Sequence, residues 1–463
     1  MHSNKKLLLS ILGLCLILRL LFLIAVQPWA YSVDEQLDFC RDSPLYHQLA
    51  CTLLDHHRFA ESEIAEPDPL RTPVYPVFVA GIYGVFGRIP WFISIFQILL
   101  DTLSCYLLFW TLNRLINHKV ALIAAFFYAI DPYLILFTSA LLTEILFVFF
   151  LVMTLSLFGW LLYHEGKRKL TLGYGLLGLI IGLATLIRPI SLYLPIFLVG
   201  FLLVAYWKKL LIALKYSAAL VIVFLCVISP WLIRNHALFG RASLTYIDSW
   251  DLLALNVGAM EAGKRHQNLL TTRFQLLAEA DSLMVADGLR PEDLNLMEKA
   301  DYWRQLAFRY ILDDPIRFGI AHLRGTIFVF TNLGTSDFTH ALHQPARTVG
   351  APLNFIDVVH KFFTRKSPTE IAIAICLVPL LLVTYLGLAL GLIIAWHRFD
   401  KKFLALCLLI ALYFVTIPGA LGMVRFKLPA LPFYLPFVGV GIAYLLDCLK
   451  ARKFVALFPP KNE

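Results

Sequence analysis

The chain has 463 residues, of which 59% are apolar and 15% charged, a balance too apolar for an ordinary soluble domain. Its formal charge of +9 comes from Lys and Arg gathered in short clusters at the ends of long apolar runs. Nucleic-acid binding wants a continuous basic face, so this charge excludes that class of function.

Crossing a bilayer core of about 30 Å at 1.5 Å per residue needs roughly 20 apolar residues. Runs of about that length occupy 7–27, 91–112, 120–137, 144–163, 170–187, 190–206, 210–232, 370–396, 403–421 and 429–449. They predict an all-α polytopic membrane protein of about ten transmembrane helices, with juxtamembrane helices and a small helical extracytoplasmic cap. The first run is interrupted by Arg19 and followed by no small-residue cleavage site, so it reads as a retained span and not as a secretory signal.

Lys5-Lys6, Arg114 with Lys119, Lys167-Arg168-Lys169, Lys208-Lys209, Arg398 with Lys401-Lys402, and Lys450 with Arg452-Lys453 then all fall on one side of the membrane. By the positive-inside rule that side is the cytoplasm. The run Pro73 to Gly87 is too short to cross, and counting it as a span would put Arg114 and Lys119 outside; it reads as a juxtamembrane or re-entrant helix.

Three parts follow. Residues 1–240 form an N-terminal membrane module with a first outer loop at 28–90; residues 241–369 form an extracytoplasmic helical cap; residues 370–463 supply the last spans. Within the cap, 289–312 has helical periodicity between Pro291 and the breaker Asp313-Asp314-Pro315, and 322–333 is expected at the membrane surface. Six of the eight cysteines lie in apolar runs, where a thiol acts as a small hydrophobe; Cys40 and Cys51 share the first outer loop, and the sequence leaves a bond between them open.

No P-loop, GxGxxG, HExxH, CxxC pair or GxSxG is present, so nucleotide-driven pumping, zinc proteolysis and hydrolase chemistry lack a motif. What remains is charge at the outer lip of the membrane, where polar groups cost desolvation energy. Asp42 precedes Ser43-Pro44 and suits either a helix cap or a catalytic carboxylate. Glu144 starts a span, where it also complements the helix dipole. Arg71, Arg188, Arg234, Arg425 and Lys427 fall at outer membrane ends, the side expected to be poor in cations; snorkelling to headgroups and phosphate binding are the two readings. Arg19 and Asp101 lie within spans and either pair or line a lipid path. His47, His56 and His57 share the loop of Asp42 and read as a solvated helix face before a metal site.

Several blocks together carry a resemblance: DSPLYHQLACTLLDHHRF from Asp42, PLRTPVYPVF from Pro69, DPYLILFTSALLTEILF (131–147), TLIRPISLYLPIFL (185–198), SPWLIRNHALFG (229–240), FRYILDDPIRF (308–318) and VRFKLPALPFYLP (424–436). In content and order the chain resembles the GT-C glycosyltransferases of the protein O-mannosyltransferase and aminoarabinose-transferase superfamily. The resemblance implies inverting transfer of a sugar from a polyprenyl-phosphate-linked donor to an extracytoplasmic glycan, lipid or protein, by a multi-pass protein of the inner (plasma) membrane. It makes Asp42, four residues before Tyr46, the base, with Glu144 and Asp34 as candidate second carboxylates. Tyr46, Arg71 and Tyr75 fall in the active-site loop, and Arg425, Lys427, Arg188 and Arg234 are candidate ligands of the lipid phosphate. Many relatives have Asp-Glu where this chain has Asp42-Ser43, so no carboxylate follows the base here. No cofactor is implied with certainty, and a divalent metal stays open. Two rivals are an oligosaccharyltransferase, for which the large soluble carboxy-terminal domain is missing, and a flippase of a lipid-linked saccharide, which should show paired repeats and midplane charge.

Overall fold

The computed structural model describes residues 2–37, 42–164, 170–344, 364 and 366–451. Cys40, the cluster Lys167-Arg168-Lys169 and the pair Arg452-Lys453 lie outside the described residues. Among those described no β-strand forms, and a lone bridge joins Ala60 to Pro67.

The membrane part opens with α1 (His2–Val26), the short α2 (Val33–Leu37), α3 (Ser43–His56) and α4 (Val74–Phe86). It continues through α5 (Pro90–Leu115), α6 (His118–Ala129), α7 (Pro132–Thr138), α8 (Glu144–Leu162), α9 (Leu170–Ile187), α10 (Leu194–Ala205) and α11 (Leu210–Phe239). The cap follows: α12 (Ile247–Trp250), a π-helical turn Asp251–Val257, α13 (Gly258–Arg265), α14 (Leu269–Ala286), α15 (Leu296–Asp313), α16 (Pro315–Thr331) and α17 (Thr335–Ala341). The chain then forms α18 (Pro368–Arg398), α19 (Lys401–Thr416) and α20 (Leu431–Ala451).

Among the described residues seven helices are long and apolar enough to cross a membrane, or eight if the bent pair α6 and α7 counts as one span. The approximate count of ten differs because proline shortens or breaks three of the apolar runs. In 120–137, Pro132 cannot continue α6, and Asp131 caps α7 by accepting from Tyr133 N at 3.0 Å and Leu134 N at 2.9 Å; the two helices meet at a 51° bend. The run 190–206 begins as a 3-10 turn, Pro189–Ser191, before α10, and the run 403–421 yields only the 16 residues of α19 ahead of Pro418. The Pro73 to Gly87 segment is a helix of 13 residues, short of a span.

α5 packs on α1, α6 and α8, while α9 lies along α11 and α18 along α20. Water supplies no drive between helices in lipid, so close contact uses small residues. A Cβ on Gly178 would collide with the Leu220 carbonyl, and one on Gly391 with the carbonyl of Phe437. α1, α11 and α18 keep apolar side chains such as Leu21, Ile222 and Leu382 exposed, as lipid contact requires. Inside the bundle Arg19 and Asp101 are wholly buried and paired, with Tyr128 O–H donating to Asp101 at 2.6 Å. Arg19 also donates to the Ala129 and Cys15 carbonyls, and so satisfies the backbone where α6 ends at its bend.

The cap has its own small core of Leu253, Val257, Leu276, Ala280, Trp303 and Leu306. Asn295 and Glu298 form a capping box at the start of α15, and Asp314 caps α16. The segment expected at the membrane surface, 322–333, covers the latter part of α16, which ends at Thr331, and the two residues after it. Its Gly325 lies so close to Gly419 and Ala420 that no Cβ would fit, and Asn256 Oδ1 accepts from Ala420 N at 2.8 Å. These contacts fix the cap on the segment that leads into Arg425.

Candidate active site

Asp42 stands immediately before α3, with Pro44 in the first turn, but its side chain makes no capping bond. It faces two arginines instead. Arg71 Nη2 donates to Asp42 Oδ1 at 2.6 Å, and Arg425 Nη1 donates to Oδ2 at 3.0 Å. Burial alone would raise the Asp42 pKa; the guanidinium groups of Arg71 and Arg425 outweigh it and hold the carboxyl below the ordinary carboxylate range. Asp42 keeps 25% of its side chain accessible, so the group is both charged and reachable.

A second pair adjoins the first. Glu144, the first residue of α8, is 2% exposed and accepts from Arg188 Nη1 at 2.6 Å. Arg188 follows the end of α9, and Pro189 forces it into extended backbone (φ −142°, ψ 118°), which turns its side chain out of the helix and across to Glu144. Arg425 reaches this pair too, 3.9 Å from Glu144 Oε1. Asp42, Arg71, Arg425, Glu144 and Arg188 thus form one continuous cluster, drawn from four separate stretches of chain.

Tyrosines and amides hold the cluster. The Arg71 guanidinium lies 5.1 Å from the Tyr46 ring centroid, and Tyr46 meets Tyr75 edge-on at 4.9 Å. Tyr75 O–H donates to Gln97 Oε1 at 3.1 Å, and Gln97 Nε2 donates to the carbonyls of Thr138 at 3.1 Å and Ala140 at 2.7 Å. Gln97 therefore fixes the turn that leads to Glu144. On the Arg71 side, Asp68 Oδ1 accepts from Leu70 N at 2.5 Å and Thr245 Oγ1 donates to the Leu70 carbonyl at 2.8 Å.

Three residues expected near the phosphate or the base lie elsewhere. Lys427 is 1% exposed, with Nζ 3.4 Å from the Tyr133 ring centroid; among the described residues its amine has no hydrogen-bond partner. It occupies the 3-10 segment Val424–Ala430, where about 120° per residue turns a side chain two positions from Arg425 to another face. Arg234 sits among Phe59, Trp231 and Phe239 at 4.5 to 5.6 Å and donates to the Asp68 carbonyl at 3.0 Å, so it latches the loop that bears Arg71. Asp34 is exposed on α2, outside the cluster.

Two carboxyls from the cap belong to the surroundings and were not expected. Asp251 opens the π-helical turn; burial pushes its pKa up to about 7, against the pull of Arg425 and Arg71. Asp337 of α17 is likewise raised by burial, and Arg425 also acts on it. Neither sits in a motif, so only the packing of the cap brings them in. His47 shares a 2.9 Å hydrogen bond with Tyr83 O–H, and His56 lies 3.8 Å from Glu63. Among the described residues no three His, Cys, Asp or Glu side chains are placed to hold a metal ion.

With this geometry in hand, the chain can be set beside known proteins. Residues 69–233 match the family described as dolichyl-phosphate-mannose-protein mannosyltransferase. The matched stretch carries Arg71, Tyr75, Glu144 and Arg188. In fold, the chain is similar to the oligosaccharyltransferase AglB of Archaeoglobus fulgidus in complex with an inhibitory peptide and a dolichol-phosphate: TM-score 0.51, 14% identity, over 97% of this chain and 51% of that one. The same enzyme tethered to an acceptor peptide gives 0.53 at 14% identity, over 98% and 50%. ArnT from Cupriavidus metallidurans bound to undecaprenyl phosphate gives 0.37 at 14% identity, over 94% and 80%. The chain spans about half the length of the oligosaccharyltransferases that it matches. No curated protein matches it in sequence. The likeness to the oligosaccharyltransferase is one of fold.

Proposed function

We propose that this protein is an inverting glycosyltransferase that moves a sugar from a polyprenyl-phosphate-linked donor to an acceptor on the extracytoplasmic face of the membrane. The observation that carries this reading is Asp42 held between Arg71 and Arg425, next to the Arg188–Glu144 pair. Three guanidinium groups against two carboxylates leave one net positive charge, which suits the single negative charge of a donor phosphodiester.

In this reaction the acceptor's hydroxyl or amine attacks the anomeric carbon from the face opposite the phosphate. The bond from that carbon to the phosphate oxygen breaks, the electron pair leaves on the polyprenyl phosphate, and the acceptor's proton passes to Asp42. The arginines take up the charge that grows on the departing phosphate. Their sharing between carboxylate and phosphate gives a timing device: as Arg71 and Arg425 turn to the donor, they release Asp42, whose proton affinity rises to that of a useful base.

The matched family's description names a lipid-phosphate sugar donor, which supports the donor class. The likeness in fold to an oligosaccharyltransferase favours a second reading, in which the transferred group is a preassembled glycan. Reconstitution in liposomes with labelled polyprenyl-phosphate monosaccharide and oligosaccharide tests both. Label appearing on an acceptor supports transfer and tells the two donors apart, whereas movement of intact lipid without transfer would make the protein a flippase and overturn the proposal.

A further inference from the structure

We propose that α16 lies in the bilayer leaflet on the Asp42 side, with its outward face against lipid acyl chains, and so seats the cap in the membrane. At about 100° per residue, Ile316, Ile320, Leu323 and Ile327 fall within about 60° of one another around the helix. Each is 47 to 77% exposed. Gly325 and Val329, on the opposite side, are buried, and Gly325 is the residue that packs on Gly419 and Ala420. The stripe therefore points straight away from the rest of the protein. A helix held by one face and apolar on the other needs an apolar surrounding on that second face.

The depth of α16 follows from α19. Arg398, the last residue of α18, lies over the Tyr444 ring near the end of α20, so these two packed helices run in the same direction. The α19 helix between them must carry the chain back across the membrane. Its 16 residues rise about 24 Å, short of the roughly 30 Å of a bilayer's apolar core. With Lys401 and Lys402 at one boundary, its last residue, Thr416, stops inside the other, and any tilt of the helix leaves it deeper still. His322 Nε2 of α16 donates to the Thr416 carbonyl. Leu412 and Ile417, on either side of Thr416 in the chain, are exposed apolar residues, so the lipid-facing surface of the bundle reaches the level at which α16 packs.

The charges of α16 fit the same placement. Arg317 and Arg324 both stand on one flank, about 70 to 90° round from the middle of the stripe. This is the layout of a helix lying in the interface, its apolar face among acyl chains and its charged flank turned to the headgroups. Arg317 pairs with Asp314 at 3.5 Å, and the stretch from Asp313 to Thr331 holds two arginines against two aspartates beside the bonded His322. The surface therefore selects no headgroup charge; its partner is the acyl chain. The inference does not depend on the reaction at Asp42.

Photolabelling of the unmodified full chain tests this without any substitution that could unfold it. The protein is placed in nanodiscs of phosphatidylcholine carrying a diazirine in the acyl chain, irradiated, and the labelled residues are located by mass spectrometry. Insertion at Ile316, Ile320, Leu323 and Ile327 should match that at Leu382, an exposed residue of the membrane-spanning α18, and exceed several-fold that at the exposed turn Arg290–Asp293. Gly325 and Val329 should stay unlabelled. Insertion in the stripe no higher than in that turn would mean that water or a second copy of the chain covers it, and would overturn the proposal. Equal insertion on the Gly325 and Val329 side would overturn it as well, because the outward face would then not be the one that lipid selects.

Discussion

Arg425 and Asp42 are separated by 383 residues in sequence and meet at 3.0 Å. The contact joins the last part of the chain to the residue just before α3, and it competes with any phosphate for the same guanidinium. Replacing Arg425 by Ala removes a charge-assisted contact of about 1.5–3 kcal/mol, so the apparent KM for the lipid donor should rise roughly 10- to 100-fold. The KM for the acceptor should move far less. Equal changes in both constants would remove Arg425 from donor binding.

Asp251 gives a pH-dependent test of the cap. Its folded pKa of about 7 lies above the roughly 3.9 of an unfolded aspartate. Between those values the folded state holds a proton that the unfolded state has lost, so stability should fall as pH rises through that window. Asp251→Asn, a neutral mimic, should match the native Tm only below about pH 4, near the unfolded pKa, and exceed it by a growing margin up to pH 8. A Tm difference that stays constant from pH 5 to 8 would mean that Asp251 is not the group titrating.

Arg19 and Asp101 form a wholly buried ion pair inside the bundle. Arg19→Leu leaves Asp101 as an uncompensated charge, a change that typically costs about 3–5 kcal/mol, and should lower the thermal midpoint in detergent sharply. Removing both charges with Arg19→Met and Asp101→Leu should recover most of the loss. A double variant no better than the single one would show that the carbonyl contacts of Arg19 at Ala129 and Cys15, and not the ion pair, dominate.

The all-helical membrane fold was legible because hydrophobic run length is a strong signal, yet the same signal could not see where proline breaks a run. Asp131-Pro132, Pro189 and Pro418 are each plain in the sequence, but whether a helix bends, restarts or stops there depends on what satisfies its backbone, as Asp131 does for α7. Asp42, Arg71, Glu144, Arg188 and Arg425 were all legible as polar residues at one lip of the membrane. Lys427 and Arg234 share that placement but not the cluster: a two-residue offset in a 3-10 turn and an aromatic cage turn them elsewhere, and neither leaves a mark in spacing. Asp251 and Asp337 come from the cap by long-range packing and had no local signature.

The side of the membrane can be checked by labelling. Ser62 and Lys208 are exposed, the first on the loop after α3 and the second just before α11. With the native cysteines replaced, Ser62→Cys in intact cells should react with an impermeant maleimide, and Lys208→Cys should react only after the membrane is opened. The reverse pattern would put the Asp42 cluster on the cytoplasmic side and remove the extracytoplasmic acceptor.

The base is tested most directly at Asp42. Its carboxylate makes no cap bond to α3, and Pro44 starts that helix whatever precedes it, so Asp42→Asn keeps size and local structure while removing the proton acceptor. The Asn amide can still accept from Arg71 or Arg425 through its oxygen, which favours a folded variant. Transfer should fall by roughly the 10²- to 10⁴-fold typical of a lost general base, with the donor KM changed much less. Asp34→Asn, altering an exposed residue outside the cluster, should retain most of the activity. Near-normal turnover in Asp42→Asn together with an inactive Asp34→Asn would move the base eight residues upstream and leave the two arginines at Asp42 as a purely structural clamp.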